Sequence, residues 1–478
     1  MDLRPKFNTT PPVKVMFNIG ACMDIPTGEY LTGKYGESIL NGGLGFVTGM
    51  VGTGNNFKST ISHYMVLSAM SKIWWSVKSA LSTYDTEINI HESRLKYFVN
   101  QFPEFEGMDL IDNSYWIITD RSKYYANEWY EIYKEHLKDK VKNADKYSVV
   151  TPFLDRDKNN LKIIAPTFTE VDSFSRFETE DVGKLQDDNE LGESGGNTIH
   201  MRQGLAKKRF LMEAPTLTAS SYNYLILTAH VGKEIQMATG PMAPPPTKKL
   251  HYLKNGDKLK GVTDDFFFLT HNCWQAVKTE ILMNQNTKAP EYPKDANDDL
   301  AGDTDLNAVT LRQLRSKSGP SGYQIEVIVS QRDGVLPSMT EFHNIKNSGR
   351  FGISGTLQHY SLDLYPDKKV QRTTVRSVID SDPKFRRALN ITSELLQIYN
   401  FYNHYEEGFV CSPKVLYDDL KEKGYDWDIL LQTRSYWTIN NDKHPVPFLS
   451  TMDLLNMRAG TYHPYWLDSD KKTIKKPK

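Results

Sequence analysis

The segment Gly52-Thr53-Gly54-Asn55-Asn56-Phe57-Lys58-Ser59-Thr60 constrains the fold more than any other stretch of the chain. A glycine-rich turn ending in Lys-Ser divides the labour of phosphate binding. Backbone N–H groups wrap phosphate oxygens, the Lys reaches the terminal phosphates, and the hydroxyl holds a divalent cation. Such a cradle needs a buried strand to deliver it and a helix that starts at once, so that phosphates meet the positive end of the helix. Gly45 to Val51 reads as that strand, and from Thr60 to about Ala80 apolar residues recur at helical spacing. The usual Gly before the Lys is Phe57, so the turn is expected from Gly52 and Gly54 with the Asn55-Asn56 pair. On these residues alone, a glycine-rich turn before an ordinary helix is the alternative.

Composition narrows the class. With 478 residues, 39% hydrophobic and 24% charged, the chain has the make-up of a globular protein with room for two or more domains. No run has the length of a membrane span and Met1-Asp2-Leu3-Arg4-Pro5 lacks a secretory apolar region, which implies a cytoplasmic protein without a membrane partner. Cys22, Cys273 and Cys411 lie far apart, with no metal-ligand spacing. A formal net charge of −1 gives no global attraction to nucleic acid, so any such binding must come from local patches.

The chain divides into a lead-in segment at 1–40, an α/β region at 41–360, and a Tyr- and Trp-rich accessory domain, α or α/β, at 361–478 that ends in a basic tail. Strands are expected at Leu81–Asp85, Tyr115–Thr119, Leu161–Val171, Tyr224–Ala229, Asp265–Leu269 and Gln324–Val329. Polar stretches at 178–202, 232–261 and 284–322 interrupt the pattern and read as long functional or solvated loops. In an open α/β sheet ligands sit beyond the carboxyl ends of strands, so polar strand ends carry weight. Two stand out. Tyr84-Asp85-Thr86-Glu87 ends the strand after the phosphate loop, and Glu87 there can orient an attacking water. Val171-Asp172-Ser173 ends a buried strand, where Asp172 can hold a Mg²⁺ shell together with Ser59. Strand-end Asp and Ser also serve as helix caps.

On these motifs the chain resembles the RecA-like P-loop ATPases, and most closely the phage recombinases of the UvsX type. Phe57-Lys58-Ser59 matches the Phe-Lys-Ser common in that group, Tyr84-Asp85-Thr86-Glu87 its Tyr-Asp-Ser-Glu, and Asp172-Ser173 its Asp-Ser. The resemblance covers about residues 40–360 and implies a mostly parallel sheet flanked by helices. It implies ATP on Gly52 to Thr60, Mg²⁺ on Ser59 and Asp172, Lys58 on the phosphates, Glu87 as catalytic base, and His230 in Leu227-Thr228-Ala229-His230 as a γ-phosphate sensor. Seven positions after Glu87, where the recombinases place a base-packing Tyr, stands Arg94, whose guanidinium can stack on a base.

Gln331-Arg332-Asp333-Gly334 resembles the trans-acting finger of DnaB-type helicases, with Arg332 reaching a neighbouring subunit's nucleotide and Ser330 where that family has Lys. A β-hairpin turning at Asp333-Gly334 is the alternative. Single-stranded DNA is expected on the second loop, through Lys233, Lys248, Lys249 and Lys254, unless that loop is only a solvated insertion. Trp74-Trp75 reads as packing, and His63, His91, His271 and His404 have no metal-ligand spacing and receive no chemistry. The resemblance thus implies a DNA-stimulated ATPase that exchanges strands as a filament on single-stranded DNA. Alternatives are a hexameric ring helicase or a nucleotide-binding assembly protein with little turnover.

Overall fold

The computed structural model describes residues 13–187, 196–233, 250–295, 302–356, 358–402 and 409–475. Its centre is a ten-stranded, mostly parallel sheet with helices on its faces. In chain order its main strands are β1 (Val47–Gly52), β2 (Leu81–Asp85), β3 (Trp116–Asp120), β4 (Thr167–Asp172), β5 (Asn223–Lys233), β6 (Asn272–Ile281), β7 (Leu306–Ser316), β8 (Gln324–Ser330) and β9 (Gly334–Val335). They lie side by side as β9-β8-β7-β6-β1-β5-β4-β2-β3, and Asp257–Leu259 adds an antiparallel strand on β5. From β6 across to β3 every pairing is parallel. The central strands β1 and β5 are buried on both faces, and Leu225-Ile226-Leu227 of β5 is a continuous apolar run; the carboxyl ends of the parallel strands share one edge.

Helix α1 (Lys58–Trp74) follows β1 and is buried around almost its whole circumference, which explains why its apolar residues are not confined to one stripe. Helix α2 (Glu92–Val99) carries Leu95, Phe98 and Val99 inward, and α3 (Ala126–Lys142) stacks Trp129 on Tyr84 at 4.8 Å. Beyond these come α4 (Gly196–Ser221), α5 (Pro337–Asn347) and α6 (Pro383–Tyr402).

Both ends of the chain contribute to the same interior. Phe17 stacks on Trp437 at 4.6 Å, and the Trp437 indole donates to the Met16 carbonyl at 3.0 Å. A second core joins Ile25 and Leu40 to Leu306, Ile328, Leu389 and Leu454.

Three expectations need correction. Asp265–Leu269 is a short helix rather than a strand, because an apolar run as brief as Phe266-Phe267-Phe268 has no readable period. The expected strand Leu161–Val171 is two. Asn160–Ile164 forms a hairpin with Ser148–Leu154, Pro166 interrupts backbone pairing, and β4 then enters the main sheet. The polar stretch 284–322 contains β7, which pairs along its length with β6 and β8. Its buried Asn307 and Gln313 disguised an interior strand.

Candidate active site

The phosphate loop joins β1 to α1 as the motif requires, but its turn is made differently. The left-handed residues are Asn55, at φ +60°, and Phe57, at φ +54°, whereas Gly54 has open space around it. Gly52 is needed for a close approach: a Cβ there would stand 2.8 Å from the Ala276 carbonyl oxygen of β6. Asn tolerates the left-handed region and Phe does not, so Phe57 stores strain of about 1–2 kcal/mol. Phe57 is also the N-cap of α1, and it offers no side-chain acceptor. The first-turn N–H groups are thus left for an anion. Lys58 is buried, and its ammonium donates to the Thr53 carbonyl at 2.7 Å. Burial lowers its pKa, while Asp172 and Glu87 act in the opposite direction.

Opposite the loop, β2 and β4 end side by side, with Asp85 in register with Asp172. Asp85 and Glu87 have separate tasks. The Asp85 carboxylate accepts from the backbone N–H groups of Glu87, Ile88, Asn89 and Ile90 at 2.8–2.9 Å, and so builds the turn that presents Glu87. Thr86 fastens that turn to β4 through mutual 2.8 Å bonds with the backbone of Ser173. Glu87 Oε1 accepts from Ser173 Oγ at 2.9 Å and lies 2.8 Å from His230 Nε2. The His230 bond, more than the Ser173 bond and the nearby Arg176, holds the Glu87 carboxyl down at about 2 against the burial that opposes it.

Asp172 is buried at the end of β4. Its Oδ1 accepts from Thr228 Oγ1 at 2.5 Å, and its Oδ2 is buried without a hydrogen-bond partner. Burial and the Glu170 carboxylate raise its pKa, against the hydroxyls of Ser59 and Thr228. An orphaned carboxylate oxygen beside a Ser hydroxyl is a hard-oxygen pair suited to Mg²⁺, which takes few protein ligands and completes its shell with water and phosphate. Among the described residues no group of three or more His, Cys, Asp or Glu is arranged to hold a metal by itself.

These residues line one cleft of about 570 Å³, large enough for a nucleotide. Its lining joins the loop from Gly54 to Thr60 with Glu87, Asp172 and His230, with Asn89, Ile90 and Arg94, and with Gln331. Arg94 is exposed and reaches the loop itself, with Nη2 donating to Thr60 Oγ1 at 3.3 Å and its guanidinium over Phe98 at 5.4 Å.

Other expected residues lie elsewhere. Arg332 is outside the cleft, in the turn of a hairpin in which Ser330 pairs with Gly334. It lies 3.5 Å from Asp333 and over the Tyr97 ring at 5.8 Å. Ser330 is buried and donates to Asp305 at 2.8 Å. Lys233 is ion-paired with Asp257, Lys254 is exposed, and Lys248 and Lys249 lie outside the described residues.

Sequence reasoning missed His63 and Gln331 as cleft residues and Glu170 as their neighbour. His63 and Glu170 fall on inward faces at helical and strand spacing from Ser59 and Asp172, and that spacing could have found them. No protein-family model matches the chain, and no curated protein matches its sequence. No described helix is long and apolar enough to cross a membrane.

Proposed function

We propose that the chain is a RecA-like, Mg²⁺-dependent ATPase stimulated by single-stranded DNA, acting as a strand-exchange recombinase. The observation that carries this reading is the convergence of Lys58, Asp172, Glu87 and His230, from four separate segments, on one cleft at the carboxyl edge of a parallel sheet. Each has a task in phosphoryl transfer. The loop N–H groups and Lys58 bind the phosphates, and Arg94, which lines the same cleft, would stack on the base. Ser59 and Asp172 would hold Mg²⁺, whose charge offsets that developing on the phosphates. Glu87 orients a water, which attacks the γ-phosphorus as the bond to the β–γ bridging oxygen breaks, and the water's proton passes to Glu87.

Glu87 clamped by His230 and Ser173 is a poor base, because both bonds favour its charged form. Release from His230 makes it more basic. His230 lies on β5, which ends at Lys233, one of the residues expected to contact DNA, so DNA bound at that end of the strand can act on Glu87 through one side chain.

Self-association draws support from the opposite edge of the sheet. His271, which donates its backbone N–H to Val47 at the amino end of β1, neighbours Lys14 and Lys317, and Lys317 in turn neighbours Arg315. Burial lowers the pKa of Lys317, and the cations Arg315 and Lys14 lower it further. A patch of this kind lowers its energy when an anion from outside arrives. Head-to-tail stacking would set the patch of one copy against the phosphate cleft of the next. That geometry generates filaments or rings. Electron microscopy with a non-hydrolysable ATP analogue and single-stranded DNA tests the proposal. Helical filaments are expected; closed rings favour the helicase alternative, and monomers under all conditions the assembly-protein alternative.

A further inference from the structure

Beneath the cleft lies a second polar layer that the reading above leaves without a role. Glu170 is fully buried on β4, two residues before Asp172, and both its oxygens are engaged. Oε1 accepts from Ser62 Oγ; Oε2 lies 2.7 Å from His63 Nδ1 and accepts from Thr83 Oγ1 at 3.2 Å. The Trp116 indole donates to Thr83 at 2.9 Å, closing the network on the sheet side. His63 is itself buried and its ring lines the cleft.

Strand and helix periods make this a two-step ladder. Glu170 and Asp172 share one face of β4, while Ser59 and His63 share one face of α1, four residues apart. The upper step is Ser59 with Asp172; the lower is Ser62 and His63 with Glu170. A buried carboxylate is costly unless it is fully hydrogen-bonded and paired, so a site that needs only Asp172 gains nothing from adding Glu170 below it. The extra buried group makes sense as a fixing point. Hydrogen bonds are directional to a few tenths of an ångström, and an apolar contact at the same place would let the helix slide.

We propose that His63 is a positioning residue for the divalent cation: through Glu170 it fixes the register of α1 on β4 and thereby the separation of the Ser59 hydroxyl from the Asp172 carboxylate. This rests on the nucleotide-site reading. The cation pair spans a helix and a strand, so slippage between them degrades metal binding while leaving the loop N–H groups and Lys58, which belong to one continuous segment, free to hold phosphates.

The test uses the full chain, a fluorescent ATP analogue and Mn²⁺ followed by electron paramagnetic resonance. His63→Phe should raise the Mn²⁺ concentration for half-saturation of the nucleotide complex by tenfold or more, while affinity for the analogue in EDTA changes less than twofold. His63→Asn, whose amide can still donate to Glu170, should recover most of the Mn²⁺ affinity. It carries the test if His63→Phe does not fold, since Glu170→Leu then serves as the disrupting variant. Unchanged Mn²⁺ dependence in the disrupting variant, equal losses with and without metal, or no recovery in His63→Asn would overturn the proposal. Failure of the unaltered protein to bind the analogue at all would instead overturn the nucleotide-site reading.

Discussion

Glu87 Oε1 and His230 Nε2 stand 2.8 Å apart, joining the turn after β2 to β5 across the end of β4. This bond keeps the candidate base ionised and occupied, and it gives the cleft a resting state. His230→Ala should raise DNA-independent hydrolysis severalfold and reduce its stimulation by single-stranded DNA. His230→Gln, which can still donate, should stay close to the unaltered protein. Phosphate release with and without DNA measures both.

Phe57 sets two terms of similar size against each other. Its left-handed backbone costs about 1–2 kcal/mol, and burial of part of its ring returns on the order of 1 kcal/mol. Phe57→Gly should therefore change unfolding free energy by less than about 1 kcal/mol in urea denaturation. Phe57→Ala keeps the strain and loses the packing, and should be the less stable of the two.

His271 makes stability depend on pH. Burial, with Lys317 and Lys14 adding to it, lowers its folded pKa from 6.5 to about 4. Its contribution is therefore present above pH 6.5 and is lost as pH falls through about 4, because the unfolded chain takes up the proton first. The full effect is on the order of 3 kcal/mol. Between pH 7 and 4.5, His271→Phe should lose less stability than the unaltered protein in denaturant titrations.

Arg332 and Arg315 can be separated by their dependence on assembly. Arg332 already has Asp333 and Tyr97 as neighbours, whereas the Arg315 Nε is buried without a partner. Arg315→Ala should preserve nucleotide binding by isolated subunits and reduce assembly-dependent hydrolysis by tenfold or more, with a smaller loss in Arg332→Ala. Hydrolysis plotted against protein concentration reads the difference.

The parallel strands and part of the cleft were legible because local chemistry fixes them: Lys58 must follow the loop, Asp172 must end its strand, and Glu87 must lie just beyond its own. What stayed hidden depends on tertiary context. β7 was hidden because polar residues read as loop: Asn307 is buried by donating to the Thr304 carbonyl just before the strand, and Gln313 by donating to the carbonyl of the distant Pro26. The structural task of Asp85 stayed hidden, because the four backbone N–H groups that claim its carboxylate converge only in the folded turn. The turn was expected from Gly52 and Gly54 with the Asn pair; Asn55 does take the left-handed conformation, but Phe57 rather than a glycine takes the other, and sequence alone does not reveal where strain is tolerated. His63 showed no metal spacing because its partner is a carboxylate on a distant strand.

The central claim is that the cleft binds and hydrolyses ATP, and the most direct measurement is phosphate release from Mg²⁺·ATP with analogue binding recorded in parallel. The unaltered protein should hydrolyse ATP, faster with single-stranded DNA; Lys58→Ala should lose turnover, and Glu87→Gln should bind normally with hydrolysis reduced at least a hundredfold. Binding without hydrolysis in the unaltered protein, or normal turnover in either variant, would contradict it.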